Sequence, residues 1–515
     1  MKPVLNLTAK TAVSALVALL FSLPAYSAEY LVKYRNNLNI VNFANYKTMQ
    51  VLDVNTTASL MKVNVPDHSK IQALTDLYSN PNVQYVVPNI KLHTFSAPVQ
   101  TTALKTQWAI QKVQAEKAWT RAGNKGSKNV IVAVIDTGVD YNHKNLAPNM
   151  MAGYDFAKNT NDPMDKTGAQ NPGHGTHCAG IIGATGVVED GTVGLSPEVT
   201  LMPLRFLTEN GSGDLNNAIK AIDYAIEKGA RVISASWGAS VPRATAEPLI
   251  EAIGRAEAAG VIFVVAAAND GKNNDKTEVY PTNAGNSNTI AVAASNSSDA
   301  KPSWSNYGRA KVHVSAPGDA IMSTLPGNKY DNLSGTSMAT PLVSGLVALI
   351  LAQDPSLKPL QVRSLLQMTG AQVAIETACA CRVDAFNAID TVKAQNMFIS
   401  PAAGTFAKGD KVSFEAVYGK APFSFVSSNT ATATIDASGE MTAVADGETQ
   451  ITVTDANGKT SQSLKIYVGA KASDPGNPGN PGDPGDPGME CPLGDPMLCE
   501  VICGIVPDLP WCAAN

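Results

Sequence analysis

Three short glycine-bearing segments place a carboxylate, an imidazole and a hydroxyl where each can react. Val132-Ala133-Val134-Ile135-Asp136-Thr137-Gly138-Val139-Asp140 is an apolar strand that ends in Asp136 and turns at a glycine. The carboxyl end of a buried parallel strand is where α/β folds build their sites. Gly173-His174-Gly175-Thr176-His177-Cys178-Ala179-Gly180 sets His174 between two glycines at the start of a helix, with little bulk to cover the imidazole. Ser334-Gly335-Thr336-Ser337-Met338-Ala339-Thr340-Pro341 precedes the apolar helix Leu342 to Leu351, so Ser337 lies where a helix N-terminus favours developing negative charge. Each segment has a plainer reading. Asp136 is a common strand-end acid, His174 and His177 are an i, i+3 pair without a third ligand at metal spacing, and Ser337 is an N-cap. Together, a hydroxyl nucleophile, an imidazole base and a carboxylate that orients it make the set needed for acyl transfer.

The order Asp136, His174, Ser337, with gaps of 38 and 163 residues, is the order found in subtilisin. The segments VIDTGVD, GHGTHCAG and GTSMATP resemble the three signatures of the subtilisin family of serine peptidases. The resemblance implies that Ser337 attacks the scissile carbonyl, that His174 accepts its proton and returns it to the leaving amine, and that Asp136 orients His174. Val264-Val265-Ala266-Ala267-Ala268-Asn269-Asp270-Gly271 is similar to the family's oxyanion segment. Asn269 is thereby implied as a donor to the tetrahedral intermediate, together with the Ser337 backbone N–H. Gly211-Ser212-Gly213 and Ser236-Trp237-Gly238 resemble the two edges that pair with an extended substrate. On these grounds the chain is expected to be a peptide hydrolase acting on proteins or peptides, with no cofactor for its chemistry. The competing class is a binding protein on an inactive peptidase scaffold. Intact Asp136, His174, Ser337 and Asn269 argue against it.

Two departures from the family pattern carry further expectations. Ala268 stands where the family usually has Gly. Its methyl, with the bulk of Trp237 near the rim, predicts a pocket that disfavours large aromatic side chains and prefers Ala, Leu or Met. His143-Lys144-Asn145-Leu146 has Asn where the family often has a calcium-binding Asp, which weakens a strong calcium site there. Asp155, Asp162 and Asp165 offer structural calcium a second location, or form a solvated acidic loop.

The elements that must position these groups are legible from periodicity. Apolar runs at Val130 to Ile135, Val232 to Ser234 and Val261 to Ala267 alternate with helical stretches such as Leu215 to Lys228. This predicts an α/β fold for residues 98–393, a subtilisin-like parallel sheet flanked by helices. Residues 28–97 read as a small α+β unit. Strands lie at Tyr30 to Tyr34, Leu60 to Val65 and Val83 to Val87, and a helix carries Ile71, Leu74, Leu77 and Tyr78 on one face. Its end, Asn82 to Asn89, resembles the inhibitor-type propeptide that precedes such peptidases. That implies a partner within the same chain and a cleavage between about Thr94 and Thr106. Residues 396–469 show short alternating strands of a β-sandwich, and Ala431 to Ile435 with Gly439 to Ala445 resembles bacterial Ig-like domains.

The flanks and composition complete the organisation. Lys2 and Lys10, the apolar run Thr11 to Leu23, and Ala25-Tyr26-Ser27 make residues 1–27 a secretory signal, so the protein is expected outside the cell or at its surface. The apolar run is shorter than a membrane span, and no Cys follows it to take a lipid anchor. A net charge of −5 provides no basic field for nucleic acid, and 44% hydrophobic residues exclude wholesale disorder. Asp/Asn-Pro-Gly triplets make residues 471–489 an extended spacer. Cys491, Cys499, Cys503 and Cys512 in the segment 490–515 predict two disulfides in an oxidising compartment. One residue separates Cys379 and Cys381, so a bridge between them would be strained. Cys178 reads as a buried small hydrophobe, or as a thiol that mercurials reach.

Overall fold

A computed structural model of the chain describes residues 29–35, 48–97, 107–187 and 191–469, with a few positions between 498 and 512. The expected signal, the spacer and Cys491 lie outside the described residues. The chain divides into two compact units, the first reaching Asn89 and the second running from Ile90 to Cys499; Glu500–Leu509 count with the first.

In the first unit, β1 (Glu29–Tyr34), β2 (Gln50–Asn55), β3 (Leu60–Asn64), α1 (Lys70–Tyr78) and β4 (Val83–Pro88) form a four-stranded sheet, order β2-β3-β1-β4, with one helix. β1 pairs antiparallel with both β3 and β4. The helix buries Ala73, Leu74 and Leu77, and Tyr78 donates its hydroxyl to the Val86 carbonyl at 2.8 Å. Ile71, read as part of the apolar face, is exposed. β2 escapes the period-two reading because it is an edge strand with a bulge between Val51 and Asp53, and it leaves Leu52 in solvent.

The second unit opens with β5 (Lys91–Thr94), α2 (Trp108–Lys112) and α3 (Ala115–Ala122). Next come β6 (Ile131–Asp136), β7 (Tyr154–Asp155), α4 (His174–Gly183), β8 (Thr200–Arg205), β9 (Ser212–Asp214) and α5 (Leu215–Glu227). The chain continues through β10 (Val232–Ala235), β11 (Trp237–Gly238), α6 (Arg243–Ala258), β12 (Ile262–Ala266), β13 (Thr289–Ser295), β14 (Val314–Pro317) and the hairpin β15 (Ile321–Leu325) and β16 (Lys329–Leu333). It ends in α7 (Thr336–Gln353), α8 (Pro359–Thr369), β17 (Ala371–Gln372), β18 (Cys381–Arg382) and α9 (Ala385–Ala394). Seven strands, in the order β14-β13-β12-β10-β6-β8-β7, run parallel, with β18 parallel to β14 and β17 antiparallel at the end. Every residue of β10, β12, β13 and β14 is buried, as an uninterrupted apolar strand covered on both faces requires.

α7 is the central helix. It is long and apolar enough to cross a membrane, yet it is buried from Thr336 to Leu351 against α4 and the strands β10, β12, β13 and β14. Its apolarity follows from its position: a helix covered all round has no polar face. Asp384 caps α9 by accepting from the Asn387 backbone N–H at 2.9 Å, and Asp214 caps α5 in the same way through Asn217.

Beyond α9, eleven short strands between Phe398 and Val468 form small sheets over a core of Ile399, Phe414, Ala433, Met441, Ile451, Val453, Ile466 and Val468. Tyr418 ties this region to the end of α7 through a 2.9 Å hydrogen bond to Asp354. Cys379 and Cys381 are disulfide-bonded despite their close spacing. Ala380 between them adopts a left-handed conformation (φ 48°), which folds the chain so that the two Cα atoms lie 5.0 Å apart, a span that a disulfide bridges. Cys499, Cys503 and Cys512 are also disulfide-bonded.

Candidate active site

β6 ends at Asp136 and α4 begins at His174, and the fold brings them to 2.8 Å between Asp136 Oδ1 and His174 Nδ1, both almost wholly buried. Burial by itself lowers the pKa of this imidazole, but the Asp136 carboxylate beside it, with the Cys178 sulfur, more than offsets that, and the net shift is well upward. His174 Nε2 is buried and makes no hydrogen bond among the described residues. Ser337 occupies the first turn of α7, and its backbone carbonyl accepts from Ser236 Oγ at 3.0 Å. His177, the second histidine of the pair, is held in place by an Nε2 contact to the Asp331 carbonyl at 3.1 Å. Burial drives its pKa down to about 3, so it stays neutral. Cys178 is buried, 3.4 Å from the Ser337 carbonyl and 3.9 Å from His174 Nδ1, and burial pushes its thiol pKa up.

A carboxylate missed as a site residue holds this arrangement. Asp165 Oδ1 accepts from Thr137 Oγ1 at 2.9 Å and Asn171 Nδ2 at 3.0 Å, and Oδ2 accepts from the backbone N–H and hydroxyl of Thr176. Thr137 Oγ1 accepts in turn from the Gly175 N–H, and Asn171 Oδ1 accepts from the N–H groups of Gly173 and His174. The loop after Asp136 and the start of α4 are thus joined through one buried acid.

The three acids read as either a calcium site or a solvated loop do not converge. Asp165 is committed to these four donors. Asp155 forms a buried pair with Arg205 at 2.5 Å, and Asp162 accepts from the Tyr141 hydroxyl at 2.9 Å. Asn145 Oδ1 already accepts from Thr185 and Gly186. Among the described residues, the one cluster with metal-ligand atoms close together is Asp136, His174 and Cys178, which is the site itself.

Residues 91–97 run through the site as an extended chain. β5 pairs antiparallel with β9 (Leu92 opposite Gly213, His93 opposite Ser212) and with β11 (Thr94 opposite Trp237, His93 opposite Gly238). The Thr94 N–H donates to the Gly211 carbonyl at 3.0 Å, and the Phe95 N–H to the Ser236 carbonyl at 3.2 Å. Gly211, Ser212, Gly213, Ser236, Trp237 and Gly238 are therefore gathered on the two sides of one strand. The Phe95 carbonyl oxygen accepts from Asn269 Nδ2 at 2.6 Å and from Ser337 Oγ at 2.5 Å. The second donor is the Ser337 hydroxyl, which also lies 3.1 Å from the Ser236 carbonyl, rather than the Ser337 backbone N–H that the family resemblance implies. A Cβ on Gly335 would lie 2.6 Å from this oxygen, so only glycine lets the carbonyl enter.

One expectation about the pocket is overturned. Trp237 does not press on a rim. It is fully buried, donates its indole N–H to the Ile135 carbonyl at 2.7 Å and packs edge-on against Phe206. Side chains alternate along a strand, so with Trp237 turned inward its neighbour Gly238 faces the cleft. A Cβ on Gly238 would lie 2.4 Å from the Tyr280 carbonyl oxygen and 2.7 Å from Cζ of the Phe95 ring, so both close off the space beside this glycine. Ala268 is buried in a left-handed conformation (φ 87°), its backbone bonded to Thr336 and Asn306. That conformation explains why glycine suits the position. Thr336 and Phe95 are the other residues that motif reading passed over.

A subtilase family model matches residues 127–419, and a model of the intimin immunoglobulin-like domain matches residues 408–457. The chain is 36% identical over 353 residues to the thermophilic serine proteinase of Bacillus sp. (strain AK1), covering 67% of this chain and 82% of that protein. It is 38% identical over 268 residues to thermitase of Thermoactinomyces vulgaris, covering 52% and 89%. It is 34% identical over 299 residues to subtilisin E of Bacillus subtilis (strain 168), covering 58% and 73%.

Proposed function

The chain belongs to the subtilase family and is a subtilisin-like serine endopeptidase, and we propose that it is exported as a zymogen that processes itself. In this reading Ser337 attacks the substrate carbonyl, and His174 Nε2 takes the Ser337 proton. Asp136 holds His174 in the productive tautomer and stabilises its cation. Asn269 carries the oxyanion, a donor worth ~3–4 kcal/mol in the transition state. The proton on His174 then passes to the leaving amine, and water repeats the sequence on the acyl-enzyme. The observation that supports these roles best is the 2.8 Å Asp136–His174 contact beside a carbonyl held by Asn269 and Ser337. Residues 28–97 act as the propeptide, residues 1–27 direct export, and the Ig-like strands space or bind rather than catalyse.

A fluorophosphonate probe tests the enzyme reading. Labelling of the mature protein at Ser337, lost in Ser337→Ala, supports it, and absence of labelling on folded mature protein overturns it. Ser337→Ala expressed alone in a protease-deficient host is expected to accumulate a precursor that retains residues 28–97. Normal maturation of that variant removes self-processing.

A further inference from the structure

We propose that Asn306, in the loop between β13 and β14, is a positioning residue for the oxyanion donor: it grips the backbone on both sides of Asn269 and holds the strained turn from which that side chain projects. The inference rests on reading Asn269 as the donor to the tetrahedral intermediate, and it names the residue that fixes where the donor starts.

The peptide groups that bound Asn269 both end on Asn306. Before it, the Ala268 carbonyl accepts from the Asn306 backbone N–H at 2.9 Å. After it, the Asp270 N–H donates to Asn306 Oδ1 at 2.9 Å, and the Lys272 N–H donates to the same oxygen at 2.9 Å. One residue thus spans the Asn269 Cα, and the direction in which its Cβ leaves the backbone is set from Asn306.

Asn306 is itself immobilised. It is fully buried, its Nδ2 donates to Asn274 Oδ1 at 2.9 Å, and its carbonyl accepts from the Ser305 hydroxyl at 3.0 Å. Asn274, also buried, donates its Nδ2 to the Ala267 carbonyl at 2.9 Å. A ring of amide hydrogen bonds therefore closes around the turn, from Ala267 through Asn274 and Asn306 back to Ala268 and Asp270. A buried polar network whose members are all paired is rigid, and one lost member leaves the others unsatisfied.

The turn needs such a hold. Ala268 has φ 87°, in the region where a Cβ is crowded, and a side-chain-bearing residue stays there only where its surroundings impose it. Relaxation at Ala268 would rotate the following peptide and carry Asn269 with it. The Ala268 N–H is held by Thr336 Oγ1 at 3.2 Å, whereas its carbonyl depends on Asn306. Stabilising an oxyanion requires a donor already in place when the charge appears, and a misplacement of about 1 Å costs up to ~10²-fold in rate.

A double-mutant cycle, read by steady-state kcat and KM on one peptide substrate, tests the coupling. Asn306→Ala is expected to lower kcat by ~10–10²-fold, with KM within ~2-fold of the parent. In an Asn269→Ala background the same change should lower kcat by less than ~2-fold, because the donor it positions is already gone. Losses that multiply across the two substitutions, or parent kcat in Asn306→Ala, overturn the inference. Asn306→Ser, with a smaller acceptor, should fall between the parent and Asn306→Ala, and it carries the cycle if Asn306→Ala does not fold.

Asn288→Ala separates positioning from general loosening. Asn288 is another fully buried amide, and it donates to the Ile253 and Val261 carbonyls, the latter at the opposite end of β12 from Asn269. Its loss is expected to lower the Tm as Asn306→Ala does, with kcat at the parent value; an equal fall in kcat overturns the positioning role. Asn269→Ala alone reports on the reading beneath. If it keeps the parent kcat, Asn269 is not the donor and both readings fall. If it loses ~10²–10³-fold while the cycle is additive, the donor stands and Asn306 alone is withdrawn.

Discussion

The side chain of Asn269 is aimed by Thr336: Oδ1 of Asn269 accepts from both the backbone N–H and the hydroxyl of Thr336, each at 2.9 Å. With its oxygen held in this way, the amide has one orientation left, and Nδ2 faces the Phe95 carbonyl. Asn269→Ala is expected to lower kcat by ~10²–10³-fold with little change in KM, the usual cost of one oxyanion donor. Thr336→Val removes the hydroxyl but keeps the N–H, and should lower kcat by a smaller factor, with Thr336→Ser restoring it. Steady-state kinetics on one peptide substrate check this; parent kcat in Thr336→Val would mean that the hydroxyl does not aim Asn269.

The raised pKa of His174 fixes the sign of the pH profile. The imidazolium cannot accept the Ser337 proton, so kcat/KM should rise with pH along a limb centred above the ordinary histidine value of about 6.5. The same shift contributes stability that is complete below the unfolded-state pKa and is lost as pH rises through the folded one, so activity and this part of stability run in opposite directions. Asp136→Asn removes the charge that raises the pKa; the limb should move to lower pH and kcat fall by ~10⁴-fold. A limb at or below 6.5 in the parent enzyme contradicts this account.

Asp165 and Asp162 are three residues apart in the acidic loop and should behave differently. Asp165→Ala leaves several buried donors without an acceptor, at ~1–3 kcal/mol for each one unsatisfied, and loosens both Asp136 and His174. Its Tm should drop by several degrees, and kcat should fall with it. Asp162→Ala, on the surface, should stay within ~0.5 kcal/mol of the parent. Calorimetry with parallel kinetics separates the two. Similar losses in both would indicate that the acids act as one unit after all.

Trp237 should carry stability rather than selectivity. Trp237→Phe deletes the indole N–H that satisfies the Ile135 carbonyl and should cost ~1–3 kcal/mol, while the kcat/KM ratio between Phe and Ala peptides stays at its parent value. Denaturant melts and paired peptide assays read the two effects. A changed ratio at unchanged stability would return Trp237 to the pocket.

What the sequence disclosed and what it withheld have physical reasons. Asp136, His174 and Ser337 were legible because each sits in a local pattern, a strand end or a helix start framed by glycine, that needs no knowledge of the rest of the chain. The parallel sheet was legible because its strands are apolar without interruption. Phe95 was not, since nothing in Lys91 to Ala97 distinguishes a strand that lies in a cleft from a surface loop. Trp237 was misread because bulk beside glycine suggests a rim, whereas alternation along β11 sends the two side chains to opposite faces. Asp165 resembled a metal ligand because a loop acid looks the same in sequence whether it meets a cation or four hydrogen-bond donors. The Cys379–Cys381 bridge depended on the left-handed turn at Ala380, a conformation that alanine does not advertise.

The placement of β5 between β9 and β11 bears on how the protein avoids self-association. These two strands do not pair with each other, so wherever β5 is withdrawn, two strand edges lose their hydrogen-bonding partner at once. Unpaired edges are templates on which foreign strands grow into aggregates. Here β9 is three residues long and β11 two, with glycine in each. Edges this short hold one extended peptide in place but offer no length along which a second sheet could propagate.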